Sequence, residues 1–128
     1  MVSSSEISAL LLSPKKGSDI KNLIHEDIKE FRTGRKTKGT SLPIKIENTG
    51  KTFSISEEQV ENLIDFYLND EIDEVELEYL ANILELCDDF EYDETVSETI
   101  FLLSSPEING ELTKESVLNI KQELNGFA

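Results

Sequence analysis

Residues 57–98 restrict the possible folds of this chain more than any other stretch. These 42 residues contain 17 Asp or Glu and no Lys or Arg, yet apolar residues recur among them at helical spacing. A disordered acidic tail has few apolar residues and no such period. The stretch therefore predicts packed helices that carry an acidic surface.

The centre of this stretch is a helix predicted from Glu74 to Cys87. Because a helix turns by about 100° per residue, its side chains separate into stripes. Two stripes are apolar and one is acidic: Leu77, Leu80, Leu84 and Cys87; Val75, Tyr79, Ile83 and Leu86; and Glu74, Glu78 and Glu85. Either other helices cover both apolar stripes, or one of them binds a partner.

The first 56 residues predict two helices, a loop and a hairpin. One helix follows Ser3–Ser5 and ends at Ser13-Pro14, with residues 1–17 expected to be loosely ordered. Residues 32–41 (RTGRKTKGTS) lack apolar side chains and predict a flexible basic loop. Residues 42–55 alternate in polarity around Asn48-Thr49-Gly50, which predicts a small β-hairpin. The second helix begins at Ser18 or Asp19 and should bury Ile20, Leu23, Ile24, Ile28 and Phe31.

Capping residues set the helix boundaries in the acidic part, residues 57–126. Ser56 with Gln59, and Asp73 with Glu76, have the spacing of capping boxes. Asp93 and Thr113 begin two further helices, which end at Ser104-Ser105-Pro106 and at Asn125-Gly126. The sequence thus predicts one mainly α domain over residues 1–128, a bundle of five or six helices with one small β-hairpin.

The charge distribution excludes two classes of partner. The chain has a net charge of −15; residues 1–56 carry ten Lys or Arg and six acids, whereas residues 57–128 carry two Lys and 21 acids. Binding to nucleic acid or to an anionic membrane requires clustered basic residues, which this acidic half lacks. We therefore expect a basic protein partner, no direct contact with nucleic acid and no membrane association; the oligomeric state is left open.

Catalytic and metal-binding patterns are weak. Most nucleophile triads and metal hydrolases need histidine, and the single His25 lies beside an apolar helix stripe, as a surface or boundary residue does. Residues 108–112 (INGEL) resemble the centre of an EF-hand loop, but in that register Ser105 and Ser116 stand where carboxylate ligands belong. We therefore expect a protein that is not an enzyme and that has no cofactor and no metal site.

The single cysteine and the N-terminal residues bear on the compartment. With only Cys87, no intramolecular disulfide can form, and its place in an apolar stripe predicts a buried thiol. No basic residue precedes the short apolar run Ala9–Leu12, so this run does not fit a signal peptide. A cytoplasmic protein is the expectation.

The acidic helices and the link between them are the predicted partner-binding surface. Like charges at helical spacing, as at Glu58, Glu61 and Asp65, are destabilising by about 0.2–0.5 kcal/mol per pair, so their accumulation indicates either a solubility demand or a basic partner. Aromatic residues within this acidic stretch would anchor a partner if exposed. The preferred candidates are Phe90 and Tyr92, followed by Phe66, Tyr67 and Tyr79. The predicted surface comprises Asp70, Glu71, Asp73, Glu74, Glu78, Glu85, Asp88, Asp89, Phe90, Glu91, Tyr92 and Asp93.

In its size, acidity and helical pattern the chain resembles bacterial immunity proteins that neutralise toxic nucleases, including those of contact-dependent growth inhibition systems. The run Ser56–Leu103 carries this resemblance, above all the carboxylates of Asp70–Glu78 and of Asp88–Asp93. The resemblance implies a tight complex with a basic toxin domain whose substrate cleft the carboxylates cover. The basic residues of Arg32–Lys38 are not part of that expectation.

Two alternative functions remain compatible with the sequence. A helical adaptor or regulatory subunit would bind its partner through the apolar stripe of Val75, Tyr79 and Leu86. A general mimic of a polyanion would instead occupy many DNA-binding proteins. Salt separates the immunity protein from the adaptor, because screening slows the encounter of charged surfaces and leaves apolar contacts almost unchanged.

Overall fold

The computed structural model describes residues 2–12, 22, 24, 25, 28, 29, 46–47, 50–106 and 110–124. The prediction of a mainly helical chain is confirmed for these residues. Its helices and strands within the described ranges are β1 (Val2–Ser3), α1 (Ser4–Leu12), β2 (Ile46–Glu47), β3 (Phe53–Ser54), α2 (Glu57–Leu68), α3 (Glu74–Leu86), β4 (Phe90–Glu91), α4 (Glu94–Ser104) and α5 (Lys114–Leu124).

The helices of the acidic part begin where the capping residues predict. At α2 the Ser56 hydroxyl accepts from the Gln59 N–H, and the Gln59 side chain accepts in return from the Ser56 N–H. Asp73 and Glu76 form the same reciprocal pair at α3. A local rule suffices here because both partners lie within one helical turn.

The first residues of α4 and α5 were also predicted correctly. The Asp93 carboxylate accepts from the Val96 N–H at 2.9 Å. The Thr113 hydroxyl accepts from the Ser116 N–H at 3.1 Å. Each cap satisfies a backbone donor that has no partner within its own helix.

The predicted β-hairpin is wrong in its pairing. Strands form at both predicted places, but β2 pairs in parallel with β1 at the N-terminus, in the register Val2 to Ile46. Strand β3 pairs in parallel with β4, in the register Phe53 to Phe90. Each pair is a separate two-stranded sheet. Alternating polarity identifies an extended segment and not its partner, which tertiary packing determines here.

Helix α3 lies at the centre of the core. Leu77, Leu80, Leu84 and the adjoining Cys87 are all buried on one stripe. The second stripe is buried at Val75, Tyr79 and Ile83, whereas Leu86 is 60 % exposed. Other parts of the chain therefore cover both apolar stripes of α3 as far as its last turn, where Leu86 is exposed.

The N-terminal segment contributes to the same core. Ile7 and Leu11 of α1 are buried, and so are Ile24 and Ile28, which are helical as predicted. Ile20, Leu23 and Phe31 of the predicted second helix, the basic loop at residues 32–41 and the predicted cap at Asn125-Gly126 lie outside the described residues.

Two leucines of α3 provide a test of this packing. Leu84 is 1 % exposed and Leu86 is 60 % exposed, so Leu84→Ala should lower the free energy of unfolding by about 2–5 kcal/mol. Leu86→Ala should change it by less than about 0.5 kcal/mol. Urea denaturation of both variants measures the difference, and equal losses would contradict the burial assigned to α3.

Candidate functional site: an acidic helical surface

Apart from Glu78, which lies within α3, the residues of the predicted surface form two groups at opposite ends of this helix. Asp70–Glu74 precede the helix or form its first residue, whereas Glu85–Asp93 form its last turn and the link to α4. Glu74 and Glu85 are eleven residues apart, which corresponds to about 16 Å along a helix axis. A partner that contacts both groups must therefore span the length of α3.

The predicted site residues differ widely in exposure. Most of the carboxylates face solvent, and two carboxylates and one ring do not. Asp70, Glu74, Glu85, Asp88, Glu91 and Asp93 are exposed; Glu71, Asp73 and Tyr92 are partly exposed; Glu78, Asp89 and Phe90 are buried.

Glu78 does not belong to an exposed stripe, which corrects the prediction made from helical spacing. It is 3 % exposed and lines a cleft of about 230 Å³ together with Glu74, Pro106, Glu111 and Leu112. The segment that follows α4 covers this side of α3. Spacing within one helix cannot reveal such coverage, because the covering residues come from a different part of the chain.

Asp89 has a structural role. Its carboxylate accepts a hydrogen bond from the Ser4 hydroxyl at 2.6 Å, and its backbone carbonyl accepts from the Phe53 N–H at 2.8 Å. The residue is 8 % exposed. Asp89 therefore joins α1 and β3 to the link after α3 and is not presented to a partner.

The predicted aromatic anchors are buried, except for Tyr92, which is partly exposed. Phe90 packs against Phe53 with ring centroids 6.4 Å apart, within the pairing of β3 and β4. The Tyr92 hydroxyl donates to the Leu84 carbonyl at 3.2 Å, and burial, together with the negative charge of Glu85, raises the pKa of Tyr92. Phe66, Tyr67 and Tyr79 are also buried.

The large apolar side chains that are exposed belong to other positions. Within the described residues they are Leu86 at 60 %, Phe101 at 42 % and Leu118 at 45 %. The sequence contained a signal for Phe101, because it lies outside the stripe of Val96, Ile100 and Leu103 that α4 turns inward. The predicted aromatic anchors all belong to the acidic stretch of residues 57–98, and Phe101 lies just beyond it.

Helix α5 partly neutralises the acidic surface. Lys121 Nζ lies 2.7 Å from an Asp65 carboxylate oxygen and 3.9 Å from one of Glu61. Hydrogen bonding to Asp65 outweighs the burial of the ammonium group and raises the pKa of Lys121. A lysine 56 residues further along the chain therefore pairs with the acidic stripe of α2.

Lys114 attaches the other end of α5. Its ammonium group lies 2.6 Å from an Asp70 carboxylate oxygen, donates to the Tyr67 carbonyl, and stands 4.3 Å from the centroid of the Tyr67 ring. Asp70 has a positive φ of 62°, in the left-handed region that Asp adopts more readily than most residues. Both lysines of the acidic half thus serve internal contacts.

His25, Cys87 and possible metal ligands are the other groups that could take part in chemistry. His25 is exposed. Cys87 is buried, and burial raises the pKa of its thiol, which disfavours the reactive thiolate at neutral pH. Among the residues that the structure describes, no three His, Cys, Asp or Glu side chains lie close enough together to hold a metal ion.

Comparison of the chain with known protein families, with curated proteins and with solved structures found no match in any of the three. Over the described ranges, none of the helices has both the length and the apolar character needed to span a bilayer.

Two phenylalanines allow the predicted and the observed exposure to be compared by mutation. Phe90→Ala should lower the free energy of unfolding by about 3 kcal/mol, because it removes a buried ring that packs on Phe53. Phe101→Ala should cost less than about 1 kcal/mol. Thermal and urea unfolding of the two variants provide the measurement; a larger loss for Phe101→Ala would reverse the assignment.

The pKa of Lys121 yields a prediction at alkaline pH. Because the folded state raises the pKa of Lys121 above its usual 10.5, the stabilisation is fully present below pH 10.5 and is lost as the pH rises through the higher folded-state pKa. We expect Lys121→Met to be less stable than the wild type by about 1 kcal/mol at pH 8, with a difference that shrinks above pH 10.5.

The exposed Lys51 supplies the control for that measurement. Lys51→Met removes an exposed ammonium group and should change the free energy of unfolding by less than about 0.5 kcal/mol at pH 8. Chemical denaturation between pH 8 and pH 12 distinguishes the two variants, and a constant deficit for Lys121→Met across that range would count against the ion pair.

Proposed function

We propose that this protein is a non-enzymatic inhibitor of the immunity type, which binds a basic toxin through its acidic helical surface. The toxin is most simply a nuclease domain, since a cleft that binds nucleic acid is itself cationic and accepts carboxylates. This proposal extends the resemblance that the sequence of Ser56–Leu103 suggested.

One observation carries the proposal. The two lysines of the acidic half are both used in contacts of α5 with α2 and with the turn after α2. Glu74, Asp88, Glu94 and Glu98 remain exposed, and within the described part of the chain no cation lies in ion-pair range of them. Repulsion among these carboxylates is relieved when a basic surface approaches.

The adaptor alternative lacks the surface that it requires. Its apolar stripe was Val75, Tyr79 and Leu86, and in the structure Val75 and Tyr79 are 7 % and 0 % exposed. Only Leu86 of that stripe faces solvent. An isolated exposed leucine is common on soluble proteins and defines no docking face.

Capture of the tagged protein from its native lysate at moderate salt tests the proposal. We expect one stoichiometric basic partner whose nuclease activity disappears when this protein is added. A partner that is neutral, or whose activity is unchanged in the complex, would refute the immunity function. Binding to many unrelated basic proteins would support the polyanion mimic instead.

Charge substitutions locate the contact surface once the partner is in hand. The triple variant Glu74→Gln, Glu85→Gln and Asp88→Asn should slow association at least tenfold at low salt, because it removes exposed charge from both ends of α3. The control removes three charges elsewhere, by Gln at the exposed Glu57, Glu115 and Glu123. Equal effects of the two triple variants would show that only net charge matters.

A further inference from the structure

The sheet formed by β3 and β4 has an open side along β3 among the residues that the structure describes. The N–H groups of Phe53 and Ile55 donate to backbone carbonyls on the β4 side at 2.8 Å each. The N–H and C=O of Ser54, which lies between them, therefore point to the other side of the strand. Ser54 is exposed, and no described residue forms a hydrogen bond with either group. We call residues 52–54 the β3 edge.

A carboxylate of β4 lies beside the β3 edge. Ser54 is paired in register with Glu91, so both side chains project from the outer side of the sheet, opposite to Phe53 and Phe90, which pack on the core. The Ser54 hydroxyl donates to a Glu91 carboxylate oxygen at 2.9 Å. This hydrogen bond holds the carboxylate of β4 next to β3, within reach of a chain on its open side.

A groove of about 330 Å³ adjoins the edge. It is lined by Ser54, Ile55, Glu91, Tyr92 and Asp93. Glu91 and Asp93 are exposed, Tyr92 is partly exposed, and no cation of the described residues forms an ion pair with either carboxylate. The groove thus places two unneutralised carboxylates beside backbone groups that can still form hydrogen bonds.

Hydrogen bonding and charge restrict what can cover the β3 edge. A helix uses its backbone N–H and C=O groups internally, whereas an extended segment presents them to a neighbouring strand at every second residue. A second copy of this chain would bring together two molecules that each carry a net charge of −15. An extended basic segment of another protein meets both requirements.

We propose that the β3 edge is the docking site for an extended basic segment of a partner protein, which adds a third strand to the sheet. The residue opposite Ser54 would have its side chain on the outer side of the sheet, about 5 Å from the serine side chain. An arginine at this position reaches the Glu91 carboxylate, and a second basic residue two positions away approaches Asp93. This inference deepens the proposed function and rests on it only for the existence of a basic partner.

Alternating peptides test the inference without a natural partner. The probe is an eight-residue peptide in which arginine and valine alternate, so that one side of the extended strand is basic. One derivative carries N-methyl groups on its four arginines and another on its four valines, and the two have equal charge. Because the N–H groups of alternate residues point to opposite sides of a strand, only one derivative loses the groups that face Ser54. We expect that derivative alone to bind at least about tenfold more weakly than the unmethylated peptide, as measured by fluorescence anisotropy.

Amide hydrogen exchange locates the contact in the unmodified protein. The Ser54 N–H has no partner among the described residues, so in the free protein it should exchange almost as fast as in an unstructured peptide. Saturation with the unmethylated peptide should slow this exchange at least about tenfold. The Ile55 N–H is the internal control, because it already donates to the Glu91 carbonyl and its exchange should change less.

Matched charge variants test the role of the groove. Glu91→Gln should weaken the unmethylated peptide about threefold, because it removes the charge nearest to the β3 edge. Glu115→Gln removes an exposed charge from α5 and should weaken the peptide less. Circular dichroism and thermal unfolding establish that each variant remains folded before its affinity is compared.

Two results would overturn the inference: equal affinities of the two methylated derivatives, which net charge alone would explain, or slow exchange of the Ser54 N–H in the free protein. The proposed function fails by a different measurement. If the peptides behave as expected and no captured partner is an inhibited nuclease, the docking site stands without the immunity function. If a captured nuclease is inhibited and the Ser54 N–H exchanges equally fast in that complex, the immunity function stands and the docking site is refuted.

Discussion

Burial of α3 on both of its apolar sides is the interaction on which the rest of the structure depends. Leu77, Tyr79 and Leu84 are each at most 1 % exposed, and their burial supplies a large share of the hydrophobic stabilisation. Because the helix is enclosed, the acidic residues at its two ends and on the adjoining helices are held on a fixed scaffold. The acidic character of the chain is therefore a property of a surface with a definite shape.

The positions of the two lysines in the acidic half determine which of its carboxylates are paired. Lys114 and Lys121 are seven residues apart, so they occupy the same side of α5, and they pair with Asp70 and Asp65 respectively. The pair at Lys121 holds α5 against α2 where Glu61 and Asp65, four residues apart, would otherwise repel each other. Repulsion is thus relieved where helices of the same chain meet and left in place on the outer faces of α3 and α4.

Local rules explain what the sequence could predict. The caps Ser56, Asp73 and Asp93 were predictable because each bonds within three residues of itself. The pairing of Phe53 with Phe90 was not, since the two are far apart in the chain. The same limit applies to the site: spacing identified the exposed Glu74 and Glu85, but could not reveal what covers Glu78 and Phe90.

The hydrogen bond between Ser4 and Asp89 has a consequence for the order of folding. These residues are 85 positions apart, so closing the loop between them carries a substantial entropic cost that only later contacts offset. During synthesis Ser4 is made 85 residues before Asp89, its hydrogen-bond partner. The contact that joins α1 to the link after α3 therefore forms only once α2 and α3 have been made.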